Sequence, residues 1–178
     1  MPGSLSGRIL IARPVLTEPS FYRSVVYLVE HDEDGAVGVI INRPTDVELA
    51  GRLDEVDELM GGGEVFHEGG PVDQSSVIAL GADPLERPRM FDLQSALDGG
   101  PRPANLRIYV GYAGWGPGQL DGEIIEGAWL VAREVPGPAG HRRDVFAPQP
   151  EGLWRELLRR EVPPASALAL YPEDLRSN

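Results

Sequence analysis

Ser24-Val-Val-Tyr-Leu-Val-Glu30, His31-Asp-Glu-Asp-Gly35 and Ala36-Val-Gly-Val-Ile-Ile-Asn42 follow one another directly and carry the clearest structural signal in the chain. The outer two segments are rich in β-branched residues, which favours strands. The five polar residues between them include a glycine, as hairpin turns often do. We therefore predict an antiparallel hairpin in which a turn near Glu33 sets His31 opposite Ala36.

Further strands are predicted where short apolar or alternating runs occur, at 8–12, 64–68, 76–80, 106–112 and 128–132. Helices are predicted where apolar residues recur at helical spacing, at 47–60, 118–127 and 151–161, with one or two turns at 91–97. Strands come first in hairpins and later mix with helices, and no βαβ rhythm runs through the chain. This order favours an α+β fold with a largely antiparallel or barrel-like sheet.

The length of 178 residues is typical of one domain. We predict a single domain over 1–178, with its core in 7–162 and a C-terminal arm or tail in 163–178. The segment 135–143 is rich in proline, glycine and arginine, which is typical of a mobile loop. His141 lies in it and is expected to have no functional role.

Composition and charge exclude or disfavour several classes of function. There is no cysteine, so thiolate chemistry and disulfides are excluded. The N-terminus has no signal-peptide pattern, and no apolar run reaches the ~20 residues that a membrane helix needs. We expect a cytoplasmic protein without a membrane association. The formal net charge is −12 and every basic residue is an arginine, so direct nucleic-acid binding is disfavoured.

Gly111-Tyr-Ala-Gly-Trp-Gly-Pro-Gly-Gln-Leu120 is the most unusual stretch of the chain. Four glycines indicate positive φ angles or close backbone approach, so we predict a shaped loop with Trp115 at its tip. Two roles fit Trp115: it plugs one end of a barrel, or it stacks on a ligand in a pocket. Gln119 and Glu123 would share one face of the following helix at i, i+4 spacing, and packing alone explains them less well.

Several segments together resemble the YqgE/AlgH family of bacterial proteins. They are Gly7-Arg-Ile-Leu-Ile-Ala-Arg-Pro14, the hairpin at 24–44, Gly69-Gly-Pro-Val72, the stretch 111–120 with Glu123, and Gly127-Ala-Trp-Leu130. The resemblance runs from Gly7 to about Leu158. It implies an α+β fold whose bifurcated sheet closes into a small barrel surrounded by helices, in a cytosolic bacterial protein. It implies no activity, although the family carries the label of transcriptional regulator.

Two positions on the hairpin are candidates for chemistry. His31 has an ordinary pKa that suits a general base, or it is a strand-end residue bonded to Asp32 or Asp34. Asn42 and Arg43 either bind an anion, with the guanidinium forking onto it, or cap a loop and pair with an acid. The resemblance favours a joint role because the family motif keeps these residue types together.

The segment Val65-Phe-His-Glu-Gly-Gly-Pro71 offers a third candidate. Gly69 and Gly70 either expose backbone N–H groups as a small anion site or form a sharp turn. His67 and Glu68 are adjacent on a strand and should point to opposite faces. The three histidines are scattered without a metal-ligand spacing, so we predict neither a metal site nor a cofactor.

Three function classes remain. The favoured one is a noncatalytic regulatory or binding module whose partner is a protein or a small-molecule anion. Its candidate binding residues lie in the segments that carry the family resemblance. They are His31, Asn42, Arg43, Gly69, Gly70, Trp115, Gln119 and Glu123. An enzyme, for instance a hydrolase, would use His31 or His67 with a carboxylate, but no nucleophile is evident. A DNA-binding regulator is disfavoured by charge and by the lack of a helix-turn-helix signature.

Overall fold

The computed structural model describes residues 3–173. Its strands are β1 Ile9–Ala12, β2 Val25–Asp32, β3 Gly35–Ile40, β4 Pro44–Glu48, β5 Val65–Glu68, β6 Val72–Ala82, β7 Arg89–Met90, β8 Asn105–Trp115 and β9 Trp129–Val131. Its helices are α1 Asp54–Met60, α2 Leu93–Leu97, α3 Gln119–Ile125, α4 Arg142–Val145 and α5 Leu153–Arg159, with 3₁₀ helices at Pro150–Gly152 and Ala165–Leu170.

The predicted hairpin is confirmed. β2 and β3 are antiparallel, with His31 opposite Ala36 and Asp32 opposite Gly35. The connection therefore shrinks to two residues, Glu33 and Asp34. β1 pairs with the other edge of β2, and β9 pairs with β1. All four residues of β1 and the first four of β2 are buried, so these strands form the centre of this half of the sheet.

The sheet divides at β8, the longest strand together with β6. The first part of β8 pairs antiparallel with β6 and parallel with β5, and its last residues pair with β3. β4 extends the β5 side. The sheet curls into a half-barrel with helices around it, which confirms the predicted α+β class, the mainly antiparallel pairing and the bifurcation.

The prediction of a loop over 111–120 was wrong for its first half. Gly111–Trp115 continues strand β8, and only Gly116-Pro-Gly118 leaves it before α3 begins. Gly111 has φ +74° and a Cβ there would lie 2.4 Å from the Gly70 carbonyl oxygen. Glycine fits this position of β8 because another backbone segment crosses the strand there at close range.

The predicted helix over 47–60 is also corrected. Its first residues belong to edge strand β4, which pairs with β5 between Pro44 and His67 and between Glu48 and Val65. Only Asp54–Met60 is helical. The apolar residues at helical spacing, including buried Leu49 and Val56, face the same core cluster from a turn and a short helix. Strand pairing outweighed the local periodicity.

The end of the chain is more ordered than its composition suggests. The segment predicted as a mobile loop runs into α4, and His141 is buried with 3% exposure. The 3₁₀ helix Ala165–Leu170 lies against α5, with Ala169 buried. The last part of the predicted arm, 174–178, lies outside the described residues. Among the helices within 3–173, none is long and apolar enough to span a bilayer.

Candidate functional site

Glu123 is the centre of a polar cluster that we call the indole–carboxylate hub, formed with Trp115, Gln119 and Trp129. Its Oε2 accepts hydrogen bonds from Trp115 Nε1 at 2.8 Å and Trp129 Nε1 at 2.9 Å. Its Oε1 accepts one from Gln119 Nε2 at 3.1 Å. The predicted i, i+4 face therefore exists, and its polar groups satisfy one another and two buried indoles.

The side chain of Trp115 is packed, with 6% exposure. Its ring lies 5.9 Å from Trp129 in an edge-on arrangement and 6.3 Å from Phe21. Gln119 also turns back on the chain, because its Oε1 accepts the Gly116 N–H at 3.0 Å. The packing alternative of the sequence analysis thus accounts for the contacts of this region.

Gly69 and Gly70 form, with Gly111, what we call the strand crossing. The Gly69 N–H donates to Val110 and its carbonyl accepts from Ile40, both at 2.8 Å. A Cβ on Gly70 would lie 2.2 Å from the carbonyl carbon of Tyr112. At these glycines the backbones of the two branches of the sheet are in van der Waals contact. The Gly69 N–H is used in the hydrogen bond to Val110.

Asn42 and Arg43 connect the end of the hairpin, through hydrogen bonds, to the loop that precedes β2. Asn42 Oδ1 accepts the Val25 N–H and Asn42 Nδ2 donates to the Arg23 carbonyl, both at 2.9 Å. Arg43 donates to the carbonyl oxygens of Ser20 and Tyr22 at 2.6 and 3.0 Å, and lies 3.7 Å from Glu68. Burial lowers the pKa of Arg43, and Glu68 counteracts this shift. The loop-capping alternative describes these contacts.

His31 has partners other than those expected. Its Nδ1 accepts the Leu5 N–H at 3.0 Å, and its Nε2 lies 3.6 Å from Asp121 Oδ1 on α3. The expected partner Asp32 instead accepts the N–H of Asp34 at 2.8 Å. The tight two-residue turn uses Asp32 locally, which leaves the imidazole facing the N-terminal segment and α3.

His67 lies beside the strand crossing and is 5% exposed. Burial, reinforced by the charge of Arg107, lowers the pKa of His67 to about 4. Its ring centroid lies 5.6 Å from that of Tyr109. Glu68 pairs with Arg43 instead, in agreement with the predicted opposite faces. His67 is therefore a neutral imidazole at pH 7.

An open cavity of about 1460 Å³ lies elsewhere, between α4, α5 and the start of β8. Four of its lining residues, Arg142, Arg143, Arg159 and Arg160, make it what we call the arginine groove. Arg160 donates to Asp144 at 2.7 Å and pairs with Glu156, while Arg142 donates to Asn105. Arg143 and Arg159 are exposed and make no ion pair within the described chain.

Asp144 anchors the groove. The carboxylate is buried, with its second oxygen 3.0 Å from His141 Nδ1. Burial acts to raise the pKa of Asp144, but the hydrogen bonds and charges of His141 and Arg160 outweigh it and the net shift is downward. An ionised Asp144 therefore holds α4 against the end of α5 and sets the position of the neighbouring arginines.

Residues 9–164 match the AlgH-like family. The chain belongs to the AlgH-like family. A UPF0301 protein of Streptomyces avermitilis is 42% identical over 96% of this chain and 94% of its own. A second, from Thermobifida fusca, is 36% identical over 96% and 94%. The names of these relatives give no activity.

Two solved structures share the fold of this AlgH-like protein. A crystal structure of a Corynebacterium diphtheriae protein has a TM-score of 0.77 and 29% identity, covering 92% of this chain and 90% of its own. The solution structure of AlgH from Pseudomonas aeruginosa has a TM-score of 0.62 and 31% identity, with 85% of each chain covered. Both agree with the resemblance seen in the sequence.

The predicted site residues of this AlgH-like chain fall into two groups. Trp115, Gln119 and Glu123 meet in the hub, and His31 approaches the same helix through Asp121. The second group comprises Asn42, Arg43, Gly69 and Gly70, around the strand crossing and the end of the hairpin. The arginine groove has none of them among its lining residues.

The sequence alone does not reveal the groove. Its signal is the presence of two adjacent basic pairs, Arg142-Arg143 and Arg159-Arg160, which are more often part of a solvated surface. The first pair lies in α4, and the second lies 17 positions later, at the end of α5 and directly after it. Only the packing of α4 against α5 through Asp144 places them on one cavity.

Proposed function

We propose that this AlgH-like protein is a noncatalytic regulatory module that binds a small anion with at least two negative charges in the arginine groove. The observation that carries the proposal is that four arginines line one cavity in a chain of net charge −12. Three acidic residues also line it, and two of these, Asp144 and Glu156, are paired with Arg160, which leaves Glu151. A field of this sign repels anions at long range, so a local cationic concavity supplies selectivity at short range.

The four arginines of the groove fall into two kinds, those with partners in the fold and those without, and this difference supports binding. Arg160 is held by Asp144 and Glu156, and Arg142 by Asn105. The exposed guanidinium groups of Arg143 and Arg159 make no such contact within residues 3–173. A planar guanidinium presents two parallel donors to a carboxylate or phosphate, so two free arginines beside a fixed pair suit a doubly charged anion.

The histidine contacts give the enzyme alternative less support. His31 accepts a backbone N–H, His67 is neutral and buried, and His141 holds Asp144. Within residues 3–173, no serine or threonine hydroxyl hydrogen-bonds an imidazole ring. A hydrolase of the serine type would need such a pair to activate its nucleophile.

Isothermal titration with inorganic pyrophosphate tests the proposal. We expect binding to the intact protein and a loss of roughly tenfold or more in affinity in the Arg143→Gln/Arg159→Gln double variant, because each charge-assisted contact contributes about 1.5–3 kcal/mol. Arg133→Gln is the matched control, since this exposed arginine does not line the groove. Equal affinity in both variants would overturn the groove as the site.

A gel-shift titration with duplex DNA at ~150 mM salt separates this function from direct DNA binding. We expect no shift of generic duplex, because the net charge of −12 opposes phosphate backbones. Tight binding that weakens steeply with salt and depends on Arg143 and Arg159 would show that the groove serves nucleic acid instead.

A further inference from the structure

A second cavity, of about 470 Å³, opens on the β4–β5–β8–β6 branch of the sheet. It shares no lining residue with the arginine groove. Its volume lies within the range of small-molecule sites, roughly 300–1,000 Å³. It is therefore a separate candidate for a ligand, independent of the proposed anion function.

Both walls of this cavity are irregular strands. The pairing of β4 with β5 shifts register between Pro44 and Glu48, and the pairing of β6 with β8 shifts between Val72 and Val77. Such bulges bend a strand away from its ladder and redirect side chains, and they are frequent beside sites. The cavity is the space that the two departures leave over β5 and β8.

The bulge in β6 is held in one conformation. Asp73 has φ +45°, in the left-handed region, and its carboxylate accepts the hydroxyl hydrogen bonds of Ser75 and Ser76. Gln74 and Ser75 line the cavity as a result. Residues in such backbone regions concentrate at functional sites, which makes this wall a candidate binding surface.

Four apolar residues line part of the cavity, beside polar and charged ones that include Thr45 and His67. Val77 lies opposite Val110 across the ladder, so both side chains share one face, and Phe66 and Val47 complete the apolar lining. Val77 is 42% exposed and Val47 is 37% exposed, although both are large hydrophobic residues of strands. A ligand with a hydrocarbon body would remove this surface from water.

The free charge at this cavity is positive. Glu68 lies 3.7 Å from the Arg43 guanidinium, and the Asp73 carboxylate is occupied by two hydroxyl groups. Arg52 lines the cavity, is exposed, and takes part in no side-chain hydrogen bond or ion pair within 3–173. A ligand carboxylate would meet an unengaged guanidinium there, whereas a ligand ammonium would compete with Arg43 for Glu68.

We infer that this cavity binds a small monocarboxylic acid with an apolar body, whose carboxylate pairs with Arg52 and whose hydrocarbon part contacts Phe66, Val77 and Val110. A series with one phenylpropyl skeleton and three end groups tests the inference: 3-phenylpropionate, the neutral 3-phenylpropanol and the cationic 3-phenylpropylamine. Each is titrated into isotopically labelled protein while amide chemical shifts are recorded. We expect the carboxylate to bind roughly tenfold more tightly than the alcohol, with shifts at 45–47, 66–68 and 74–77.

Two variants sharpen the test. Arg52→Gln should reduce the affinity for 3-phenylpropionate to that of the alcohol, and it alters only an exposed side chain. Val77→Asp should abolish binding of both, because it places a charge among the apolar residues of the cavity, and its melting temperature verifies that it folds. The Arg143→Gln/Arg159→Gln variant should bind 3-phenylpropionate normally, which keeps failure here distinct from failure of the proposed anion function.

Four results would overturn the inference. They are equal binding of the acid and the alcohol, tighter binding of the amine, shifts confined to residues outside the cavity, and absence of binding by the carboxylate at millimolar concentration.

Discussion

The strand crossing and the arginine groove differ in how completely they use their polar groups. At the strand crossing and in the neighbouring hub, backbone N–H groups, indoles and carboxylates find partners within the chain. In the groove, two guanidinium groups have no side-chain partner among residues 3–173, and two others are held by Asn105 and Asp144. The conspicuous family segments therefore hold the sheet together, whereas the inconspicuous arginines are the ones available to a partner.

The largest expected effect comes from Gly70→Ala at the strand crossing. A Cβ there would lie 2.2 Å from the backbone of Tyr112, and backbone cannot move aside as a flexible side chain can. We expect a loss of more than about 4 kcal/mol in the free energy of unfolding, measured by urea denaturation. Since domains have only about 5–15 kcal/mol in total, failure to fold is consistent with this expectation.

Gly122→Ala is the matched control. Gly122 lies in α3, where an added Cβ would meet no atom within 4 Å. Alanine is a better helix former by about 1 kcal/mol, so this variant should be as stable as the parent or more stable. Similar stability for the two variants would show that the strand crossing is looser than the structure indicates.

A pH titration examines His67 beside the crossing. The pKa of His67 is about 4 in the folded protein, against about 6.5 for an unperturbed imidazole. Between these values the unfolded chain binds a proton that the folded chain does not. Stability should therefore be complete above pH 6.5 and fall by about 3 kcal/mol as the pH decreases to 4.

Urea denaturation of the parent and of His67→Gln between pH 4 and 7 measures this contribution. The unfolding free energy of the variant should lose the part of its pH dependence that His67 contributes. It should keep the part that the carboxylates of the chain contribute. It keeps His31 and His141, so a change in slope belongs to His67. Parallel pH profiles for the two proteins would contradict a buried neutral imidazole.

A smaller effect is expected at the hub. Glu123→Ala removes the acceptor of two buried indole N–H groups, which should cost about 2–3 kcal/mol and change the near-ultraviolet signal of the tryptophans. Glu126→Ala, in an exposed position just beyond the same helix, should change neither. If both substitutions cost the same, the hub contacts contribute little to folding.

The smallest effect is expected in the groove. Arg143→Gln and Arg159→Gln should each change the unfolding free energy by less than about 0.5 kcal/mol, because neither side chain has an ion pair in the described chain. Arg160→Gln should cost more, since it leaves the buried Asp144 carboxylate with one partner fewer. Equal costs at all three positions would remove the distinction between fixed and free arginines.

The sequence predicted the regular parts of this fold well. Alternation, β-branched residues and a short polar turn specify the hairpin, down to the pairing of His31 with Ala36. The segment 47–60 was predicted less well. Its apolar spacing fits a helix, yet its first residues pair with β5, because tertiary context overrides local helix propensity.

The candidate site was also predicted only in part. Glycine and tryptophan in 111–120 indicated an unusual backbone, and this stretch was one of the segments that together carried the family resemblance. The partner of that backbone is Gly70, which lies far away in sequence, so the segment read alone suggested a loop. The shared face of Gln119 and Glu123 was predicted, but its purpose depends on Trp129, which arrives from another strand.

The sequence by itself determined the α+β class, the hairpin, the absence of thiol chemistry and the family, because these depend on local patterns and composition. Only the tertiary structure decided that four arginines share one cavity while the family glycines fill a strand crossing. The physical reason is that site geometry and close backbone contacts join residues from distant segments. Their proximity is created by packing of the sheet and helices, and local sequence carries little information about it.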